Sequence, residues 1–111
     1  MRGKRVVELG AGTGLVGLVC AALGASVLLT DLAQGLPLLQ RNLRRNGGDV
    51  KAKELRWGLE AAAAAMPQGC DVVIGCEVIY QHDDETAAAL VDTMQYLAAQ
   101  EQGVATDFTA F

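Results

Sequence analysis

Short apolar runs alternate with longer amphipathic ones along the chain. Arg5-Val6-Val7-Glu8-Leu9 sets β-branched residues ahead of a glycine turn and reads as a short buried strand. Leu15 to Leu23 follows as a helix, with Gly24 where a C-terminal glycine ends one. Ser26 to Thr30 is a second strand, closed by Asp31. Leu36, Leu39 and Leu43 then recur at helical spacing, with Arg41, Arg44 and Arg45 facing elsewhere as a solvated face, until Asn46-Gly47-Gly48 stops the helix. A third strand is expected from Val50 to Leu55. Trp57-Gly58 leads from it into an alanine-rich helical piece, Leu59 to Met66, broken by Pro67. Cys70 to Cys76 reads as a fourth strand. Asp83, Asp84 and Glu85 open a last helix to about Gln100, acidic at the end the helix dipole prefers. The tail from Gly103 to Phe111 has room for at most a weak fifth strand. Strands and helices alternate throughout, which implies an α/β architecture with a parallel sheet and right-handed crossovers.

The length of 111 residues bounds the chain to a single domain or part of one. With 51% hydrophobic residues and few aromatics, its core is aliphatic. Nine Lys and Arg against thirteen Asp and Glu give a net charge of −4. That counts against a bulk electrostatic grip on nucleic acid, although a local basic patch stays open. Cys20, Cys70 and Cys76 are odd in number and lack a CxxC pair, which fits buried thiols of a reducing, cytoplasmic compartment better than a disulfide frame or a metal site. Met1-Arg2-Gly3-Lys4-Arg5 is basic like the start of a signal peptide, but Glu8 and the glycines interrupt the apolar stretch beyond it. Leu9 to Thr30 is uncharged over 22 residues, long enough to span a bilayer. Gly10, Gly12 and Gly14 at one end of it suit a loop better than a membrane helix, so a soluble chain is expected.

Glu8-Leu9-Gly10-Ala11-Gly12-Thr13-Gly14, between a strand and a helix, carries the strongest chemical signal. Glycines there let the backbone turn tightly and approach a ligand without Cβ atoms in the way. A turn cluster with no ligand is the plainer alternative. Asp31 closes the second strand 21 residues after Gly10, where a carboxylate can accept hydrogen bonds from a ribose. Gly12 to Gly17 formally matches GxGxxG, so a nicotinamide cofactor must be weighed. Glu8, however, places an acid two residues before Gly10, which would repel a pyrophosphate and favour a cationic ligand. S-adenosylmethionine is cationic at its sulfonium, carries a ribose and has no phosphate.

Glu8 to Gly14 resembles motif I of the class I, seven-β-strand S-adenosylmethionine-dependent methyltransferases. Thr30-Asp31-Leu32 with its Leu-rich helix, Leu55-Arg56-Trp57-Gly58 and Gly75-Cys76-Glu77-Val78-Ile79-Tyr80 resemble the methyltransferase-21-like branch, which methylates lysines of non-histone proteins. The resemblance implies a Rossmann-like parallel sheet ordered 3-2-1-4, part of the seven-strand fold; the tail has room for at most a weak fifth strand and does not resemble the family's continuation. It also implies that the chain is a single, incomplete domain: the segment before strand one and the family's closing strands are not matched. By position it gives Gly10, Ala11 and Gly12 the methionine part of the cofactor, with Gly14 and Glu8 in the same motif. Asp31 takes the ribose hydroxyls, Trp57 the adenine, and Cys76 lines the pocket. A lone tryptophan before a glycine can indeed offer a flat ring to a base, although a plain core tryptophan is the bland alternative. Glu77 and Tyr80 occupy the acid-x-x-Tyr motif that sets the target lysine against the methyl donor, where Asp is the commoner acid.

Nucleic-acid amino-methyltransferases carry an Asn/Asp-Pro-Pro-Tyr motif at that point. Glu77-Val78-Ile79-Tyr80 lacks both prolines, which weakens a nucleic-acid acceptor further. His82 is better described as a loop histidine than as a base. The expected function is methyl transfer from S-adenosylmethionine to a lysine side chain of a protein. A non-catalytic cofactor- or partner-binding remnant is the second reading, and an NAD-binding Rossmann domain the third. An exposed sheet edge would invite self-association.

Overall fold

Arg5–Leu9 forms β1, and its alternating side chains serve two cores at once. Val7 and Leu9 join Leu55, Cys70, Val73, Leu90, Met94 and Leu97 on one face of the sheet. Val6 joins Cys20, Val27, Leu29 and Leu39 on the other. A strand buried on both faces must sit centrally. In the computed structural model, which describes residues 2–46, 48–66, 69–76, 84–99 and 105–109, it does. The remaining elements are α1 (Leu15–Ala22), β2 (Ser26–Asp31), a 3-10 turn at Ala33–Gly35, α2 (Leu36–Asn46), β3 (Val50–Glu54), α3 (Leu59–Ala65), β4 (Val72–Cys76), α4 (Asp84–Ala99) and β5 (Ala105–Thr109).

The five strands run β3-β2-β1-β4-β5, and every pairing is parallel. Crossovers from β1 through β2 to β3 build outward on one side. The connection through α3 then carries the chain back past β1 to β4. Chain direction along the sheet therefore reverses between β1 and β4, the place where open α/β sheets form a crevice beyond their strand ends. The register there is Val6↔Val72 to Leu9↔Gly75. Its lower end is fastened reciprocally: the Arg5 N–H donates to Oδ2 of Asp71 at 2.8 Å, and the Asp71 N–H donates to the Arg5 carbonyl at 2.9 Å. The Arg5 N–H also holds the Asp71 carboxyl below the usual carboxylate range.

Several element limits differ from the sequence expectation. β3 ends at Glu54, where the Leu55 N–H closes the last rung of its ladder with β2 on the Asp31 carbonyl at 2.9 Å. β4 starts at Val72, two residues late, because the Cys70 N–H goes instead to the Leu97 carbonyl of α4 at 3.3 Å. The tail supplies a full fifth strand paired from Val72↔Ala105 to Cys76↔Thr109. Its mixed composition gives little strand signal, and the open edge of β4 supplies the pairing. No described helix is long and apolar enough to cross a membrane, so Leu9 to Thr30 is strand, loop, helix and strand.

α1 lies so close to β2 that a glycine is required at its contact. A Cβ on Gly17 would overlap Cδ2 of Leu29, which is fully buried and cannot swing aside. Alanine is the better helix former by about 1 kcal/mol, whereas overpacking of this kind costs about 1–3 kcal/mol. We therefore expect Gly17→Ala to lower stability to urea unfolding by about 1 kcal/mol net; a variant more stable than the native chain would contradict this packing.

Candidate functional site

The loop from Gly10 to Gly14 leaves β1 at the crevice. Gly10, Gly12 and Gly14 adopt φ of 62°, 60° and 84°, a left-handed region that side chains avoid, so the alternating glycines are a backbone requirement. The loop is bonded inward along its length. The Ala11 N–H donates to the Thr30 carbonyl at 2.9 Å, the Gly14 N–H to the Ala11 carbonyl at 2.9 Å, and the Gly12 N–H to Oδ2 of Asp31 at 2.9 Å. Three donors that a pyrophosphate would need are thereby already used.

Asp31 stands at the end of β2, and its carboxylate is doubly held: Oδ1 also accepts the Leu32 N–H at 2.7 Å. Each carboxylate oxygen has two acceptor positions, so one on each remains for a ligand. Two acceptors side by side match a vicinal diol. In front of Gly12 a Cβ would meet nothing within 4 Å, so the loop faces open space there. These features fit the ribose of S-adenosylmethionine, and they do not form a phosphate cradle.

Glu8 has a different place from the ligand-facing one its sequence position suggests. It is 2% exposed, on the α1 face of β1, and its Oε1 accepts the Gly17 N–H at 3.1 Å. Gly17 lies in the first turn of α1, where N–H groups have no intrahelical partner. The carboxyl therefore braces the loop–helix junction from the core side. Burial pushes its pKa up from 4.5 to about 7, with the Gly17 bond pulling it down and the Asp31 charge adding to the rise.

Trp57 is half-buried against the core cluster under α3 and α4. The turn after it is fixed by Thr93 of α4, whose Oγ1 accepts the Gly58 N–H at 2.6 Å and donates to the Ala89 carbonyl at 2.8 Å. Cys76 ends β4, one residue beyond the Gly75 that pairs with Leu9; its side chain lies outside the described residues. Glu77, Tyr80 and His82 lie outside the described residues altogether. Among the cysteines, burial pushes the Cys70 thiol up to about 11, which makes it a packing residue and not a nucleophile.

Sequence reasoning passed over three supports. Thr30 is buried and its Oγ1 donates to the Glu8 carbonyl at 2.7 Å. Asn42 of α2 donates from Nδ2 to the Thr13 carbonyl at 2.7 Å, tying that helix to the loop. Thr93 is the third. Asn42 left a usable trace, a short amide between Leu39 and Leu43 on the inward edge of the helix; Thr30 and Thr93 left none.

A family model described as lysine methyltransferase matches residues 1–109. The chain is 39% identical over 106 residues to EEF1A lysine methyltransferase 3 of Xenopus tropicalis, covering 93% of this chain and 46% of that protein. It is 40% identical over 104 residues to protein N-lysine methyltransferase METTL21A of Danio rerio, covering 89% and 46% respectively. The chain thus spans less than half the length of these curated relatives. Among solved structures it superposes on the glycopeptide N-methyltransferase MtfA complexed with S-adenosyl-L-methionine, with a TM-score of 0.74 at 20% identity over 95% of this chain and 46% of that one.

The raised pKa of Glu8 has a consequence for stability. The folded protein holds this proton more tightly than the unfolded chain. Its stabilising contribution is therefore complete below the unfolded value of 4.5 and is lost as pH rises through about 7. The loss is at most about 3 kcal/mol. Glu8→Gln keeps an oxygen for the Gly17 N–H and carries no charge. We expect its stability to urea at about pH 8 to match or exceed that of the native chain, with a flatter profile down to about pH 5. An unaltered profile would assign the titration to another group.

Proposed function

The chain belongs to the lysine methyltransferase family, and from that premise we propose that it binds S-adenosylmethionine at the Gly10–Gly14 loop for transfer of a methyl group to a lysine side chain of a protein. One observation carries the choice of cofactor: the N–H groups of Ala11, Gly12 and Gly14 are spent within the protein, while Asp31 keeps two acceptors beside open space. A ribose carboxylate serves either cofactor, but the pyrophosphate of a dinucleotide needs free backbone donors at this loop.

In this reading Asp31 takes the ribose hydroxyls, and Gly10, Ala11 and Gly12 give the methionine portion a surface free of side chains. Trp57 offers its ring to the adenine, and Cys76 lines the pocket from the end of β4. The cofactor supplies an electrophilic methyl group on a sulfonium. Transfer is an in-line displacement, so the remaining task of the protein is alignment. Glu77 and Tyr80, which follow β4 in the sequence, bind and aim the lysine. The amine must arrive neutral, and for a side chain of pKa about 10.4 at pH 8 this costs roughly 3.3 kcal/mol. A carboxylate at Glu77 stabilises the ammonium and so steers it. A nearby sulfonium and exclusion of water favour loss of its proton.

The family relationship supports a protein acceptor. The burial of Cys20 and Cys70 supports a reducing, cytoplasmic setting. The outer side of β5 ends the described sheet and supplies an edge for self-association. The other edge, β3, exposes Lys51 and Lys53, which discourage pairing.

Calorimetric titration with S-adenosylhomocysteine tests the cofactor reading. We expect binding that weakens at least about tenfold in Asp31→Ala, and no competition by NAD. Tight NAD binding that S-adenosylhomocysteine cannot displace would reverse the assignment. For the reaction, methyl incorporation into protein lysine is expected to be lost in Glu77→Ala and strongly reduced in Tyr80→Phe. Binding without any incorporation would make the chain a cofactor-holding module.

A further inference from the structure

Gly35 ends the 3-10 turn after Asp31, and nothing in its backbone asks for glycine. Its φ is not among the positive ones, and alanine is the better residue in a helical turn. The space beside it does. A Cβ on Gly35 would lie 3.0 Å from both Cγ and Oδ2 of Asp31 and 3.3 Å from its Cβ. Carbon atoms pack best at about 3.5–4.0 Å, so one partner would have to move. The turn is closed by the Gly35 N–H on the Leu32 carbonyl at 2.9 Å, and the Asp31 backbone is held by the Leu55 N–H at 2.9 Å. What can yield is the carboxylate, which sits between the Gly12 and Leu32 N–H groups at 2.9 and 2.7 Å.

We infer that Gly35 is a positioning residue for the ribose-binding carboxylate: lacking a side chain, it lets Asp31 keep both backbone hydrogen bonds with its outer acceptors aimed at a 2′,3′-diol. The inference rests on the reading of Asp31 as the ribose acceptor. A methyl group at Gly35 pushes Oδ2 off the Gly12 N–H and turns the carboxylate away from the diol.

The test uses the 111-residue chain, Gly35→Ala and Asp31→Asn, titrated with S-adenosylhomocysteine and with its 2′-deoxy analogue. We expect Gly35→Ala to bind S-adenosylhomocysteine about tenfold more weakly and the deoxy analogue within about twofold of the native chain, so that preference for the diol collapses. In ligand-free protein the Gly12 amide proton resonance moves upfield while that of Gly17, bonded to Glu8, stays in place. Native-like preference for the diol, equal loss of both ligands with a lowered melting temperature, or an unmoved Gly12 resonance would each overturn the inference. If S-adenosylhomocysteine binding is absent from the native chain or survives intact in Asp31→Asn, the cofactor reading itself falls, and the inference with it. A failure confined to Gly35→Ala leaves that reading standing.

Discussion

The hydrogen bond from the Gly12 N–H to the Asp31 carboxylate, 2.9 Å long, joins the loop after β1 to the end of β2. It is charge-assisted, so it is stronger than the backbone bonds around it. It also fixes two things that a ligand site needs at once. The loop cannot drift outward, because Gly12 is tied to a strand. The carboxylate cannot rotate, because Leu32 holds its second oxygen. The same acid that organises the site is thereby left with acceptors for a ligand.

Around this bond the loop and the elements that flank it are braced by three groups of different chemistry. Thr30 and Glu8 act from within the sheet, one through a hydroxyl and one through a carboxyl. Asn42 acts from α2 on the outer side. Gly14 and Gly17 allow the close approach: a Cβ on Gly14 would lie 2.9 Å from Cδ1 of Leu29, and one on Gly17 would overlap Cδ2 of the same residue. Preorganisation of this kind lowers the ordering cost that binding would otherwise carry. Glu8 shows what it costs: a carboxyl taken out of water, with pKa pushed up to about 7, to satisfy one helical N–H group.

Much of the fold was legible in local pattern. β1 and the start of α1 came from β-branched residues ahead of a glycine cluster, and α2 from leucines at helical spacing. The position of Asp31 beside the loop was legible because an acid that closes the second strand of such a unit ends next to the glycine turn. The fifth strand was not, because Ala-Thr-Asp-Phe-Thr pairs through backbone groups whose partner, β4, is supplied only by the fold. The place of the Glu8 side chain was not legible for a related reason. An acid before a glycine loop looks ligand-facing in sequence, but strand alternation turns its side chain toward α1 and the core.

The sequence by itself determined the strands and helices as far as the last helix, the glycines that the loop after β1 needs, and which residues could serve a nucleoside. Those properties depend on neighbours close in the chain: steric limits on φ, the periods of 2 and 3.6, and the spacing of glycine and acid. Only the tertiary structure decided which donors remain free, which acid faces the core and why residue 35 is glycine. Each of these depends on groups from different elements competing for one hydrogen bond or one volume. The Gly12 N–H and Asp31 are 19 residues apart, and the Arg5 N–H and Asp71 are 66. No local pattern records such meetings, because the fold brings the partners together first and their chemistry then selects the bond.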